Sequence, residues 1–174
     1  MERFKVRVTK DYLSFCAAHF IVFNGDECER LHGHNYKVAA QIEGTLDQNF
    51  LVFDFIALKK ILRDICEQLD HRMLVPRASR DFSIEEDEKS VRMRYRDREW
   101  VFPRDDCCLL PVENTTAELL ARWISGQLID ELKARLAQLA SDSSSAVSTQ
   151  LQNVRVEVEE TAGQWAIYET DPQL

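Results

Sequence analysis

An α+β domain, in which an antiparallel sheet carries helices on one face, is what the sequence predicts. Three observations carry the prediction. Apolar and polar residues alternate near both ends of the chain, two long segments between them have helical apolar spacing, and the order is strands, helix, hairpin, helix, strands, without regular strand–helix alternation.

Residues 2–9 set Phe4, Val6 and Val8 against Lys5, Arg7 and Thr9, the signature of a half-buried strand. Residues 13–22 repeat the pattern with Phe15, Ala17, His19 and Ile21, so His19 shares the face of its apolar neighbours. Asn24–Gly25–Asp26 reads as a loop, and residues 34–43 as a further strand closed by Gly44. Asp54 is suited to cap a helix over 55–69, where Leu58, Ile61, Leu62, Ile65 and Leu69 form one stripe. Residues 77–111 are less regular. The run Glu85–Glu88 reads as a solvated loop, and Val91, Met93 and Tyr95 then alternate with Arg92, Arg94 and Arg96 before Asp97–Arg98 turns the chain into "EWVFP", a hairpin. A second helix starts near Thr116, with Thr115 and Glu118 at capping-box spacing and Leu120, Trp123, Ile124, Leu128, Leu132 and Leu136 as its stripe. It stops before "SDSSSAVSTQ", which reads as a flexible connection, and "VRVEVEET" and "WAIYE" close the chain as a hairpin around Ala162–Gly163.

With 174 residues and 45% hydrophobic content, the chain suits one domain with room for an insertion. A net charge of −8 argues against nucleic acid as a partner. No apolar run nears the roughly 20 residues of a membrane span, and "MERFKVRVTKDYLS" has no signal-peptide core, so the expected location is cytoplasmic. The five cysteines are odd in number and lack framework spacing, which reads as reduced thiols. Cys107 and Cys108 fit a buried or half-buried segment.

The chemistry concentrates in "ECERLHGHNYK", which holds two of the four histidines. On an extended backbone His32 and His34 project to one side, and His19 lies on the neighbouring strand. Three neutral imidazoles from two paired strands can hold a tetrahedral ion and leave its fourth position open, the catalytic arrangement of zinc. Cys28, four residues before His32, could supply a thiolate at that position or pack as a small hydrophobe. His71 follows Asp70, either as an acid–base pair or as a helix-end imidazolium. Glu160 can grip an N–C–N edge with two parallel hydrogen bonds, or stand solvated.

Taken in order, "FCAAHF", "CERLHGHNYKV", "VFDFIALKK", "LDHRML", "NTTAELLA" and "EVEETAGQWAIYE" resemble the 6-pyruvoyltetrahydropterin synthase / 6-carboxytetrahydropterin synthase family over most of the chain. The resemblance, which lapses over about residues 77–110 and the Ser-rich segment, implies the tunnelling fold, a four-stranded antiparallel sheet with two helices on one face, here with an insertion at about 77–110 that carries a hairpin. It also implies a homo-oligomer, commonly a hexamer of two stacked trimers with sites at subunit interfaces. His19, His32 and His34 resemble its zinc ligands, Cys28 its catalytic thiol, and Asp70 and His71 the acid–base pair that a neighbouring subunit supplies. Glu160, with Thr161 beside it, resembles the pterin anchor. Thr116 and Glu118 match a segment lining the pterin pocket, although Leu119 stands where the family has Asn.

The implied substrate is 7,8-dihydroneopterin triphosphate. Cys-x-x-x-His-Gly-His is similar to the type that makes 6-carboxy-5,6,7,8-tetrahydropterin on the 7-deazaguanine (queuosine) route. Glu29 completes Glu-x-x-His-Gly-His, the motif of the branch that releases 6-hydroxymethyl-7,8-dihydropterin for folate. The chain thus resembles a dual-motif subgroup, with formation of 6-pyruvoyltetrahydropterin or a non-catalytic pterin- or metal-binding oligomer as further alternatives. Lys37, Arg30, Arg72 and the stripe Arg92/Arg94/Arg96 are candidates for the triphosphate.

Overall fold

The computed structural model describes residues 3–25, 27–142 and 150–172. Its first strand, β1, runs from Phe4 to His19 without a break. Sequence alternation splits this segment in two because the inward-facing parity changes: Val8 faces in, and so do Leu13, Phe15, Ala17 and His19. The pairing with β4 (His32–Gly44) shifts register between Thr9 and Ser14, and that bulge switches which residues face the core. β4 also starts two residues earlier than the alternation suggests, so both its histidines are strand residues.

β10 (Leu151–Thr161) pairs antiparallel with β4, and β11 (Gln164–Thr170) with β10 across a turn in which Gly163 takes φ +81°, a conformation open to glycine. These four antiparallel strands carry two helices on one face. α1 (Phe55–Leu69) packs on β1, and α2 (Ala117–Asp142) on β10 and β11. Asp54 caps α1 through its carboxylate, which accepts from the Ile56 amide at 2.6 Å. Thr116 takes the cap position of α2, its hydroxyl accepting from the Leu119 amide at 3.4 Å, so the capping-box role read for Thr115 moves one residue on. Between sheet and helices lies a continuous apolar core that includes Leu58, Leu62 and Ile65 of α1, Leu120, Ile124 and Leu128 of α2, and Phe15, Tyr36, Val38, Val156 and Val158 of the sheet.

Charged residues pair on the opposite face. Lys5 meets Glu43 at 3.0 Å, Arg7 meets Glu157 at 2.8 Å and Lys37 meets Glu159 at 3.5 Å, and all three carboxylates are buried.

The sheet extends beyond the four antiparallel strands. β5 (Arg72–Pro76) runs parallel to β1, and β9 (Cys107–Leu110) parallel to β5, giving the order β11-β10-β4-β1-β5-β9. Neither strand shows in the sequence pattern, because Met73, Leu74 and Val75 are all buried and do not alternate. Between β5 and β9 the chain forms a separate three-stranded sheet where one hairpin was expected. It comprises β6 (Ser83–Glu86), β7 (Ser90–Tyr95) and β8 (Arg98–Pro103). Glu85 and Glu86 are therefore edge-strand residues, and the β7–β8 turn is Arg96–Asp97, with Arg96 at φ +53°. This sheet closes a second core of Phe20, Met73, Val75, Phe82, Val91, Met93, Tyr95 and Cys107. A short hairpin, β2 (Val22–Phe23) with β3 (Glu27–Cys28), leads into β4.

No helix among the described residues is long and apolar enough to cross a membrane. The Ser-rich connection read at 141–150 lies largely outside the described residues, while Ser141 and Asp142 complete α2.

Leu62 is fully buried, so Leu62→Ala is expected to cost about 2–5 kcal/mol. Asp54→Ala removes one helix cap and should cost about 1 kcal/mol. Urea unfolding at fixed protein concentration measures both, and the Leu62 variant should be the weaker by a clear margin.

Candidate active site

The register of β1 on β4 sets His19 opposite His32 and Ala17 opposite His34. Directly opposed and diagonal neighbours on one face of an antiparallel pair are within side-chain reach. Ring centroids lie 4.6 Å apart for His19 and His32, 5.3 Å for His19 and His34, and 4.9 Å for His32 and His34. The candidate ligand nitrogens of all three fall within 4.8 Å of one another. Gly33 makes this packing possible, since a Cβ there would sit 2.8 Å from the Ala17 carbonyl oxygen, inside any normal contact. Its neighbours' imidazoles reach the cluster only if the strands keep this close approach.

Second contacts fix how the rings are protonated. His19 Nδ1 donates to the Thr115 carbonyl at 2.9 Å, and His32 Nδ1 to the Arg30 carbonyl at 2.8 Å. A carbonyl can only accept, so both Nδ1 atoms carry the hydrogen. The two Nε2 atoms, 3.2 Å apart, then present lone pairs to each other. Protonation of His19 would relieve this, but burial lowers its pKa to about 4. A cation between the nitrogens relieves it at neutral pH, and a backbone acceptor on the far nitrogen is the usual second contact of a metal-bound histidine. The donor set thus fits a divalent metal on His19, His32 and His34.

Tyr36 and Glu160 complete the inner wall. The Tyr36 hydroxyl lies 3.3 Å from His19 Nδ1 and donates to Glu160 Oε1 at 3.4 Å. Burial and the Glu160 carboxylate push this phenol well above its ordinary value, so it remains a donor. Glu160 Oε1 is itself 3.8 Å from His19 Nε2. Tyr36 was not read as a site residue, although its place two positions beyond His34 on the same strand face was a usable signal.

Glu29 and Cys28 are placed differently. Glu29 Oε2 stands 3.5 Å from His32 Nε2, buried, with no hydrogen-bond partner among the described residues. The Cys28 thiol donates to the Glu29 carbonyl at 3.4 Å and packs against the second core, beside Phe20 and the inserted sheet. Burial raises its pKa, although the nearby Arg98 guanidinium pulls the other way. In this arrangement the carboxylate, rather than the thiol, adjoins the three histidines.

Asp70 and His71 form a pair away from the cluster. Asp70 Oδ2 accepts from His71 Nδ1 at 2.8 Å, and the His71 side chain is 81% exposed. The Cys16 amide donates to Asp70 Oδ1 at 2.7 Å and, with His71, holds this carboxyl below its usual range. No hydrogen bond or ring contact among the described residues joins His71 to the three histidines. Thr116 and the exposed Glu118 open α2 beside Thr115, whose carbonyl holds His19. The Thr161 hydroxyl donates to Gln164 at 2.6 Å within the closing turn, rather than facing the cluster. Among the basic candidates, Lys37 is paired with Glu159 on the opposite sheet face, and Arg92 and Arg94 both grip Glu99. Arg30 and Arg72 are exposed.

Residues 7–171 match the family model described as 6-pyruvoyl tetrahydropterin synthase. A Methanocaldococcus jannaschii protein, provisionally named 6-carboxy-5,6,7,8-tetrahydropterin synthase, is 37% identical over 70% of this chain and 74% of its own length. A Pyrococcus furiosus protein named dihydroneopterin monophosphate aldolase is 39% identical over 35% of this chain and 51% of its own. Among solved structures, Plasmodium vivax 6-pyruvoyltetrahydropterin synthase, in a form whose catalytic glutamate is replaced by alanine, superposes with a TM-score of 0.85 at 29% identity. That match covers 99% of this chain and 100% of the other, so the inserted sheet lies within it.

Replacing Gly33 with alanine should push β4 off β1 at Ala17 and weaken metal binding by at least tenfold with all three histidines present. A competition titration against a chromophoric chelator would measure this; unchanged affinity would show that the close approach is not what assembles the cluster.

Proposed function

The chain belongs to the 6-pyruvoyl tetrahydropterin synthase family, and from that premise we propose that it is a metal-dependent lyase of a dihydropterin side chain in which Glu29 is the base. The observation that carries this reading is the buried, unpartnered Glu29 oxygen 3.5 Å from His32 Nε2. The substrate is 7,8-dihydroneopterin triphosphate or a lower phosphate, and the product 6-hydroxymethyl-7,8-dihydropterin.

His19, His32 and His34 would hold the metal, and three imidazoles with an open position suit Zn²⁺. Bound there, the ion would supply Lewis acidity toward the side-chain hydroxyls. Glu160 accepts two N–H groups of the pterin edge and fixes the ring, with the Tyr36 hydroxyl steadying that carboxylate. Glu29 then takes the proton of the hydroxyl on the second side-chain carbon. The bond between the first and second side-chain carbons breaks, the second carbon leaves as an aldehyde, and the electron pair passes into the ring C=N. Protonation of the first carbon restores that C=N and gives the hydroxymethyl group. Lack of hydrogen bonds to Glu29 Oε2 suits the role, because its lone pairs are free to meet a substrate proton. An aldolase among the relatives accords with this bond cleavage.

A second reading has its own support. Cys28 keeps the spacing to His32 that resembles the 6-carboxytetrahydropterin synthase type, and the Methanocaldococcus jannaschii relative carries that name. In that route the thiol would turn toward the cluster and act as the base.

The protein is proposed to act as a homo-oligomer. Phe50, Leu51, Phe55 and Ile56 are exposed together near the start of α1, with Phe50 81% and Ile56 74% exposed, as at a covered face. The exposed Asp70–His71 pair would then serve the site of a neighbouring copy as acid–base partner.

The test is product analysis by mass spectrometry with zinc-loaded protein and dihydroneopterin triphosphate. Removing a general base costs about 10²–10⁴-fold, so Glu29→Gln should lose activity on that scale with metal retained, while Cys28→Ala stays within about threefold. The reverse pattern, with 6-carboxytetrahydropterin as product, would establish the thiol route. No turnover with any loaded sample would identify a binding protein.

A further inference from the structure

The geometry points to Arg98, on the inserted sheet, as a positioning residue for Glu29. Glu29 has little to hold its own carboxylate: apart from the 3.5 Å approach to His32, its buried oxygen has no partner among the described residues. Its placement therefore comes from the backbone that carries it. The peptide unit joining Cys28 to Glu29 is held at both of its polar ends. Its carbonyl, that of Cys28, accepts from an Arg98 terminal nitrogen at 3.0 Å, and its amide, that of Glu29, donates to the Ile21 carbonyl at 3.0 Å. A peptide unit is planar, so hydrogen bonds at its two opposite ends restrain its position, and with it the point from which the Glu29 side chain departs.

The guanidinium is in turn held by the second core. It lies 5.1 Å from the Trp100 ring centroid and 5.4 Å from that of Tyr95. Trp100 packs on Phe20 with ring centroids 4.4 Å apart and planes tilted by 45°, and Phe20 packs on Phe82 at 6.0 Å. Phe20 is fully buried, directly follows His19, and its carbonyl accepts the Thr115 hydroxyl at 2.8 Å. A short chain of packed rings thus ties the base-bearing peptide to the segment that holds the first histidine. The inserted sheet does not add a group to the reaction; it sets the distance between the carboxylate and the histidines.

This inference rests on the reading of Glu29 as the base. Arg98→Met keeps an apolar stem against Trp100 and removes the donor. Misplacing a reacting group by about 1 Å can cost on the order of 10²-fold, so kcat is expected to fall between about tenfold and that limit, with KM within about twofold and with metal content and melting temperature unchanged. Arg98→Lys, which retains one donor, should recover part of the loss. In a Glu29→Gln background, Arg98→Met should lower the residual rate no further, because the group it positions is gone. A rate equal to wild type, a loss that multiplies in both backgrounds, or loss of metal or of folding would each overturn the assignment. If Glu29→Gln alone keeps full activity, the base reading fails and this inference with it. If Glu29→Gln abolishes the rate and Arg98→Met does not change it, only the role of Arg98 fails.

Discussion

Two ring nitrogens 3.2 Å apart, each on an imidazole whose other nitrogen is committed to a main-chain carbonyl, cannot face one another comfortably without positive charge between them. That constraint organises the rest of the site. It explains the depth of His19, whose burial favours the neutral imidazole, the form that can donate a lone pair to a cation. It gives Thr115 its task, which is to fix the tautomer of His19 from the start of α2. It also accounts for the surroundings of Glu160 and Glu29, two carboxylates whose oxygens lie within 4 Å of the His19 and His32 Nε2 atoms.

The strand ladder delivers this geometry. A shift of one residue would turn His32 and His34 to the face that carries Lys37 and Glu159. The bulge between Thr9 and Ser14 is what lets one strand serve both ends of the sheet. Ahead of it, Val8 faces the helices; beyond it, the inward set is Leu13, Phe15, Ala17 and His19. The last inward position of β1 is thus spent on an imidazole, where the strand leaves the main core and meets the second one.

Much of this was legible from the chain alone. The α1 boundaries followed from one apolar stripe and one capping aspartate, and the histidine cluster followed from period-two spacing on neighbouring strands. Other features gave no such signal. β5 and β9 are buried along their length, so they lack the alternation that marks a half-exposed strand. The bulge in β1 looks like a gap between two strands because only the parity of burial changes. Cys28 and Glu29 are adjacent on extended backbone, where consecutive side chains point to opposite sides; spacing to His32 cannot say which of the two faces the cluster. Arg98 is invisible for a different reason. Its contact with the Cys28 carbonyl spans 70 residues and depends on a sheet whose packing partners, Phe20 and Met73, belong to other elements.

The division of the buried side chains into a larger and a smaller core has a consequence for local stability. Cooperative units that share few contacts open independently, each with its own free energy. The imidazoles hang on the β1–β4 ladder and the large core, whereas the peptide that carries Glu29, the proposed base, is clamped from the smaller one. A fluctuation that loosens mainly the minor unit would leave the three imidazoles paired on their ladder while Glu29 drifts away from them. Substitutions in that unit can therefore shift Glu29, over generations of sequence change, while the three histidines keep their arrangement on the larger core.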